Sequence, residues 1–321
     1  MLTRQQFLRY AGRSTLAAAT GWTALTRSSL HLPVAQAAGA ETSGMRPLAV
    51  QLEGLKDAEF AGYWNADQRG YYKAAGVNPT WMPGGPDILV QAVVAAGRAQ
   101  VGILGSTTDF ADAVAKGAPL VAIAVNYQRS PEGILSLPGN PVRTAKDLVG
   151  KKLALPSGAH REMQALFKLN HIDPNAVTFI PEGSDPTPLV THQVDAYYAF
   201  AFNEPVALKR KGIASVFTSL DALGLPKYGN LIIALRPTLE KYHDTIVAWL
   251  RASIRGWELD LKNPNMGADL AVKVYGKNNN MDLAEQRMES QGELPYLTSA
   301  LTREKGLFWM DDAKWADIAR S

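Results

Sequence analysis

A chain of 321 residues with 33 basic and 30 acidic side chains, 46% hydrophobic residues and no cysteine is long enough for one large domain or two modest ones with proper cores. The lack of thiols excludes disulfides, thiolate metal sites, cysteine nucleophiles and a lipid-modified N-terminal cysteine. The formal charge of +3 is also no sign of an acidic partner: loss of residues 1–37 would remove 4 basic and no acidic side chains, leaving a charge near −1 and no Lys/Arg-rich block for nucleic acid or an anionic membrane.

Arg4, Arg9, Arg13 and Arg27, a weakly apolar run over residues 16–25 and then Ala35-Gln36-Ala37 predict a secretory signal over 1–37, not a membrane span. Thr3-Arg4-Gln5-Gln6-Phe7-Leu8-Arg9 is also similar to a twin-arginine signal with Gln5 in place of the second arginine, so the Sec and twin-arginine routes both stay open. The expected product is soluble and periplasmic. Leu48-Ala49-Val50-Gln51-Leu52 then predicts a first strand. Phe60, Tyr63 and Trp64 have helical spacing, Gly70 suits a helix stop, and residues 76–81 read as a strand running into Pro83-Gly84-Gly85-Pro86. A helix is expected over 86–96, with Pro86 in its first turn and Ile88, Leu89, Ala92, Val93 and Ala96 on one face. Short buried strands follow at 101–104 and 120–125, with an apolar helix over 110–115 between them.

Turn chemistry at residues 129–133 interrupts this pattern. Strands then resume at 133–137, 152–155, 177–180, 194–200 and 231–235, with helices at 160–169 and 204–211. Beyond Pro237, Ile246, Leu250, Ile254, Trp257 and Leu261 form one apolar stripe on a long helix. Alternating strands and helices make this an α/β chain with helices covering a mainly parallel sheet, and no internal repeat is visible.

The stretch from Glu59 to Gly85, EFAGYWNADQRGYYKAAGVNPTWMPGG, and Asn203-Glu204-Pro205 downstream carry a specific resemblance. The chain resembles the substrate-binding proteins of the NMT1/THI5-like family, whose members present thiamine-precursor pyrimidines, sulfonates or flavins to membrane transporters. That resemblance implies the type II periplasmic binding protein fold, two lobes with a hinge and an interlobe cleft. Lobe one would take residues 46–130 and 231–321, lobe two 131–230, with the hinge at the crossings near 130 and 230. It implies a monomer that hands a small molecule to an ABC transporter permease in the inner membrane, with no nucleic-acid partner, cofactor or metal.

Open α/β sheets place ligands beyond the carboxyl ends of their strands, so residues following strands are the candidates. These are Glu59, Tyr63, Trp64, Trp81, Gly84, Gly85, Ser106, Thr107, Asn126 and Tyr127 from the first lobe, and Ser157, Asn203 and Glu204 from the second. Gly84 and Gly85 would admit close backbone approach to a ligand, the alternative being a plain tight turn. Thr108 is expected to cap the helix after Ser106 and Thr107, and His160, without a nucleophile or metal partner, is assigned a structural or surface role. Stacking on Trp64 or Trp81, a two-way bond to Asn203 and an acceptor at Glu204 suit a flat aminopyrimidine. The only nearby cations are Arg129 and Arg161, so an aromatic amine or amide is favoured over a sulfonate, taurine or nitrate, and a riboflavin-like ligand is the other alternative. The family's pyrimidine-synthesis enzymes carry a cysteine-rich motif and its desulfinases a nucleophilic cysteine. Without cysteine this chain is read as a binder, not an enzyme.

Overall fold

The computed structural model describes residues 44–85, 88–156, 159–181 and 185–320, and the expected leader, Pro86 and the candidate Ser157 lie outside these described residues. Within them, ten strands form two five-stranded sheets. The first has the order β2-β1-β3-β10-β4, built from β1 (Arg46–Gln51), β2 (Val77–Met82), β3 (Val101–Leu104), β4 (Leu120–Tyr127) and β10 (Gly229–Leu235). The second has the order β7-β6-β8-β5-β9, built from β5 (Glu132–Ser136), β6 (Lys152–Leu155), β7 (Thr178–Pro181), β8 (Ala196–Phe200) and β9 (Val216–Ser219).

Each sheet is mixed. β1 pairs in parallel with β2 and β3, whereas β10 runs antiparallel to β3 and β4. In the second sheet β6 is parallel to β7 and β8, and β5 is antiparallel to β8 and β9. β3 and β5 are buried along their whole length, as covering both faces of a sheet demands; β3 reads as an unbroken apolar run, whereas β5 also buries Glu132 and Ser136 at its two ends. The chain leaves the first sheet after Tyr127, enters the second at Glu132 and returns between Ser219 and Gly229. At these crossings the Ser130 N–H donates to the Lys227 carbonyl at 3.1 Å, tying one to the other.

Helices differ from expectation in three places. The helix expected over 86–96 begins only at Val90 (α2, Val90–Ala95, after α1, Ala61–Gln68), because Leu89 is extended, and Ile88 and Leu89 are exposed instead of sharing a buried face. The helix after β3 spans Thr107–Ala115 (α3) and is capped by Ser106, whose hydroxyl accepts from the Asp109 N–H at 3.0 Å, so Ser106 and not Thr108 is the cap.

The long helix spans Arg236–Asp260 (α6, after α4, His160–Leu169, and α5, Glu204–Arg210), and its buried face runs through Ile246, Trp249, Ser253, Gly256, Trp257 and Asp260. Leu250, Ile254 and Leu261 are only partly buried. The face turns toward small residues because α6 crosses α1 closely: a Cβ on Gly256 would collide with the Gly62 carbonyl, and one on Gly62 with the Trp257 ring. Helices α7 (Pro264–Leu270) and α8 (Leu283–Leu297) follow on this side, and two shorter ones, Ala300–Lys305 and Asp312–Arg320, come after them. No helix among the described residues is long and apolar enough to cross a membrane.

Candidate functional site

A cavity of about 560 Å³ opens between the two sheets. One wall belongs to the first sheet and its helices. Glu53 follows β1; Asp57 caps the short turn Ala58–Phe60 by accepting from the Glu59 N–H at 3.1 Å; Glu59 accepts from the Asn230 amide at 2.8 Å. Asn230 reaches that position from the start of β10 with a φ of 50°. The Gly105 N–H donates to the Glu53 carboxylate, and a Cβ on Gly105 would occupy the carboxylate's place, so the turn after β3 is shaped around Glu53. Leu55, Ile88 and Leu89 form an apolar rim, and Gln286 and Glu289 of α8 close the back.

The opposite wall belongs to the second sheet. It presents Glu132, Ala159, Glu162, Tyr198, Phe200, Asn203, Glu204 and Ala207. Glu204 opens α5 and turns one oxygen back on the strand it follows, accepting from the Phe200 N–H at 2.8 Å. Burial raises its carboxyl to about 7, against the lowering effect of that backbone bond. Behind this wall the Lys227 ammonium pairs with both Glu132 and Glu162. Ser130 donates to Glu132 at 2.6 Å and Tyr198 to Glu162 at 2.7 Å. Burial alone would lower Lys227, but the two carboxylates outweigh it and hold the lysine above its ordinary range.

Nine carboxylates line the cavity, and among the described residues no lysine or arginine does. On the first wall, burial pushes Glu53, Asp57, Glu59 and Glu289 upward, and the first two are pushed further by Glu59 beside them. The described residues offer no group of three or more His, Asp or Glu side chains arranged to hold a metal ion.

Of the candidates read from sequence, Glu59, Gly85, Ser106, Asn203 and Glu204 meet on this cavity. The aromatic candidates do not. Tyr63, Trp64 and Trp81 sit in the core of the first sheet: Tyr63 stacks on Trp249 at 5.7 Å, Trp64 stacks on Tyr275 at 4.2 Å, and Trp81 packs edge-on against Trp64 at 5.3 Å. Trp64 also spends its N–H on the Asp57 carbonyl at 2.7 Å, so the expected stacking wall is a hydrophobic core.

Gly84 packs its backbone against Glu53, where any side chain would collide, and does not face the cavity. Thr107 donates to the Tyr228 carbonyl at 3.0 Å, and Tyr127 donates to Glu293 at 2.7 Å; both are buried away from the cavity. Asn126 is buried in β4 with neither amide atom paired among the described residues. Arg161 is engaged by Asp109 and Asp112, and Arg129 lies over the Tyr296 ring at 4.9 Å, so neither expected cation faces the cavity. Gln286 and Glu289 carry no sequence signal because α8 lacks an apolar stripe; Glu53, directly after the first strand between Leu52 and Gly54, met the strand-end rule and could have been found by it.

The family model for NMT1/THI5-like proteins matches residues 57–266, and the chain belongs to that family. Among individual relatives it is similar to the riboflavin-binding protein RibY of Chloroflexus aurantiacus, 26% identical over 283 residues, covering 84% of this chain and 78% of that protein. In fold it is similar to the aliphatic sulphonate-binding protein SsuA of Escherichia coli, with a TM-score of 0.58 at 18% identity over 81% of this chain and 84% of that one. The alkanesulfonate-binding SsuA of Xanthomonas axonopodis pv. citri also has a TM-score of 0.58, at 17% identity over 82% of this chain and 90% of that one. The architecture is therefore the two-lobe fold of periplasmic binding proteins.

Proposed function

We propose that this protein is the soluble periplasmic substrate-binding component of an ABC importer, delivering an uncharged or cationic heterocycle rich in hydrogen-bond donors to an inner-membrane permease. The observation that carries this reading is the cavity lining, nine carboxylates and no lysine or arginine among the described residues. A sulfonate or nitrate brings only acceptors and negative charge, and such a lining repels both. An aminopyrimidine such as a thiamine precursor supplies N–H donors for Glu59, Glu204 and Asn203, with Tyr198 and Phe200 as the ring-sized apolar surface. A flavin is the second reading, favoured by the cavity volume of about 560 Å³ and by the name of the Chloroflexus relative, since its hydroxyl chain and ring N–H are also donors.

The residues bind without reacting, as a monomer. Residues 46–130 with 231–321 form one lobe and 131–230 the other, hinged at the tied crossings around Ser130 and Lys227. Calorimetric titration with an aminopyrimidine, riboflavin, methanesulfonate and nitrate tests the reading. Heat of binding is expected from one of the first two and none from the anions. Saturable binding of methanesulfonate or nitrate would overturn it.

A further inference from the structure

Helix α8 turns a polar face inward: Gln286, Glu289, Ser290 and Glu293 are all buried. Buried polar atoms require partners, and most of these have them. Glu293 accepts from Tyr127, and Ser290 donates to the Pro264 carbonyl at 3.0 Å. Gln286 accepts from the Ala58 N–H at 2.7 Å and donates to Glu289 Oε2 at 2.6 Å. This relay pins Glu289 by one oxygen. The other, Oε1, has no hydrogen-bond partner among the described residues, although Glu289 is only 5% exposed and lines the cavity. The charged groups that face it are Asp57, Glu59 and Glu204, with Glu293 one turn further along α8, all acidic.

We propose that Glu289 is the specificity-determining acceptor of this cavity: its Oε1 receives an N–H from a protonated amine or amidine-like edge, so the ligand is bound as a cation. The proposal rests on the binding-protein reading and narrows it to one charge class. A carboxylate already locked by Gln286 loses little freedom when it accepts a ligand, and a charged bond is roughly twice as strong as a neutral one. A cation also relieves four mutually repelling carboxylates at once, which a neutral flavin does not. Burial first, and Asp57 and Glu59 after it, raise the Glu289 carboxyl, so it takes up a proton more readily than a free carboxyl, and a cation bound at Oε1 displaces any proton held there.

The test is titration of wild type and Glu289→Gln with an aminomethyl-substituted aminopyrimidine, whose alkyl amine is already an ammonium in neutral buffer, and with riboflavin, in two buffers of different ionisation enthalpy, with melting curves alongside. Wild type is expected to bind the aminopyrimidine with net proton release, and Glu289→Gln to lose about tenfold or more in affinity, the scale of a charged hydrogen bond, while melting no lower than wild type. Equal affinity in the two proteins, or tighter wild-type binding of riboflavin, would overturn the proposal and leave the importer reading standing. Wild-type binding without proton release would overturn it whether or not the variant folds. Failure of wild type to bind either probe would overturn both.

Discussion

The two walls of the cavity are both acidic, the first with six carboxylates and the second with three, and they are differently balanced. On the second wall Glu132 and Glu162 share the buried Lys227; Ser130 donates to the Glu132 oxygen that meets Lys227, and Tyr198 donates to the other oxygen of Glu162. On the first wall Glu53, Asp57, Glu59 and Glu289 have amide and backbone donors but no cation beside them. The same residue type therefore serves two ends: a carboxylate closed off by an internal cation is architecture, and one left with an open oxygen is an acceptor awaiting a donor.

The largest test of this contrast removes the internal cation. Lys227→Met leaves two adjacent buried carboxylates unpaired and is expected to cost about 3–5 kcal/mol in denaturant unfolding. A loss below about 1 kcal/mol would mean that the second wall is no better balanced than the first.

Glu204 gives the next largest effect, through pH. Its folded-state value of about 7 lies above the ordinary carboxyl value of 4.5. A raised group contributes stability that is fully present below about pH 4.5 and lost as pH rises through about 7, on the order of 3 kcal/mol across the window. Melting temperature of the ligand-free protein should therefore rise as pH falls from neutrality toward 5, and Glu204→Gln should flatten that slope. An unchanged slope in the variant would assign the pH response to the first-wall carboxylates alone.

Trp64→Phe separates the core from the cavity. Shrinking a fully buried ring and losing its bond to the Asp57 carbonyl should cost about 2 kcal/mol of stability with affinity unchanged. A weaker-binding variant of normal stability would return the aromatic cluster to the site.

The smallest effect belongs to the exposed ion pairs of Arg210 with Asp282 and Glu285, which link α5 to the start of α8 across the two walls. Arg210→Met is expected to change stability by no more than about 1 kcal/mol, and less at high salt.

Much of the architecture was legible because unbroken apolar runs such as Val101-Gly102-Ile103-Leu104 can only be buried strands in a chain of this size. Asn203 and Glu204 were legible as well, since an apolar strand running straight into polar residues and a proline marks a strand end and helix start. The aromatic wall was misread for a definite reason. Spacing shows that Phe60, Tyr63 and Trp64 share a helix face, but not whether that face meets a ligand or the α6 helix 190 residues downstream. Glu289 was invisible for the opposite reason: a helix whose inward face is Gln, Glu, Ser and Glu has the pattern of a solvated one.

The most direct measurement is a crystal structure of the protein with the aminopyrimidine bound. The expected result has a ring-amine N–H within hydrogen-bond distance of Glu289 Oε1, further donors on Glu59 or Glu204, and the Lys227 pair with Glu132 and Glu162 undisturbed. A ligand held on the second wall by Lys227, with no first-wall carboxylate in contact, would contradict it.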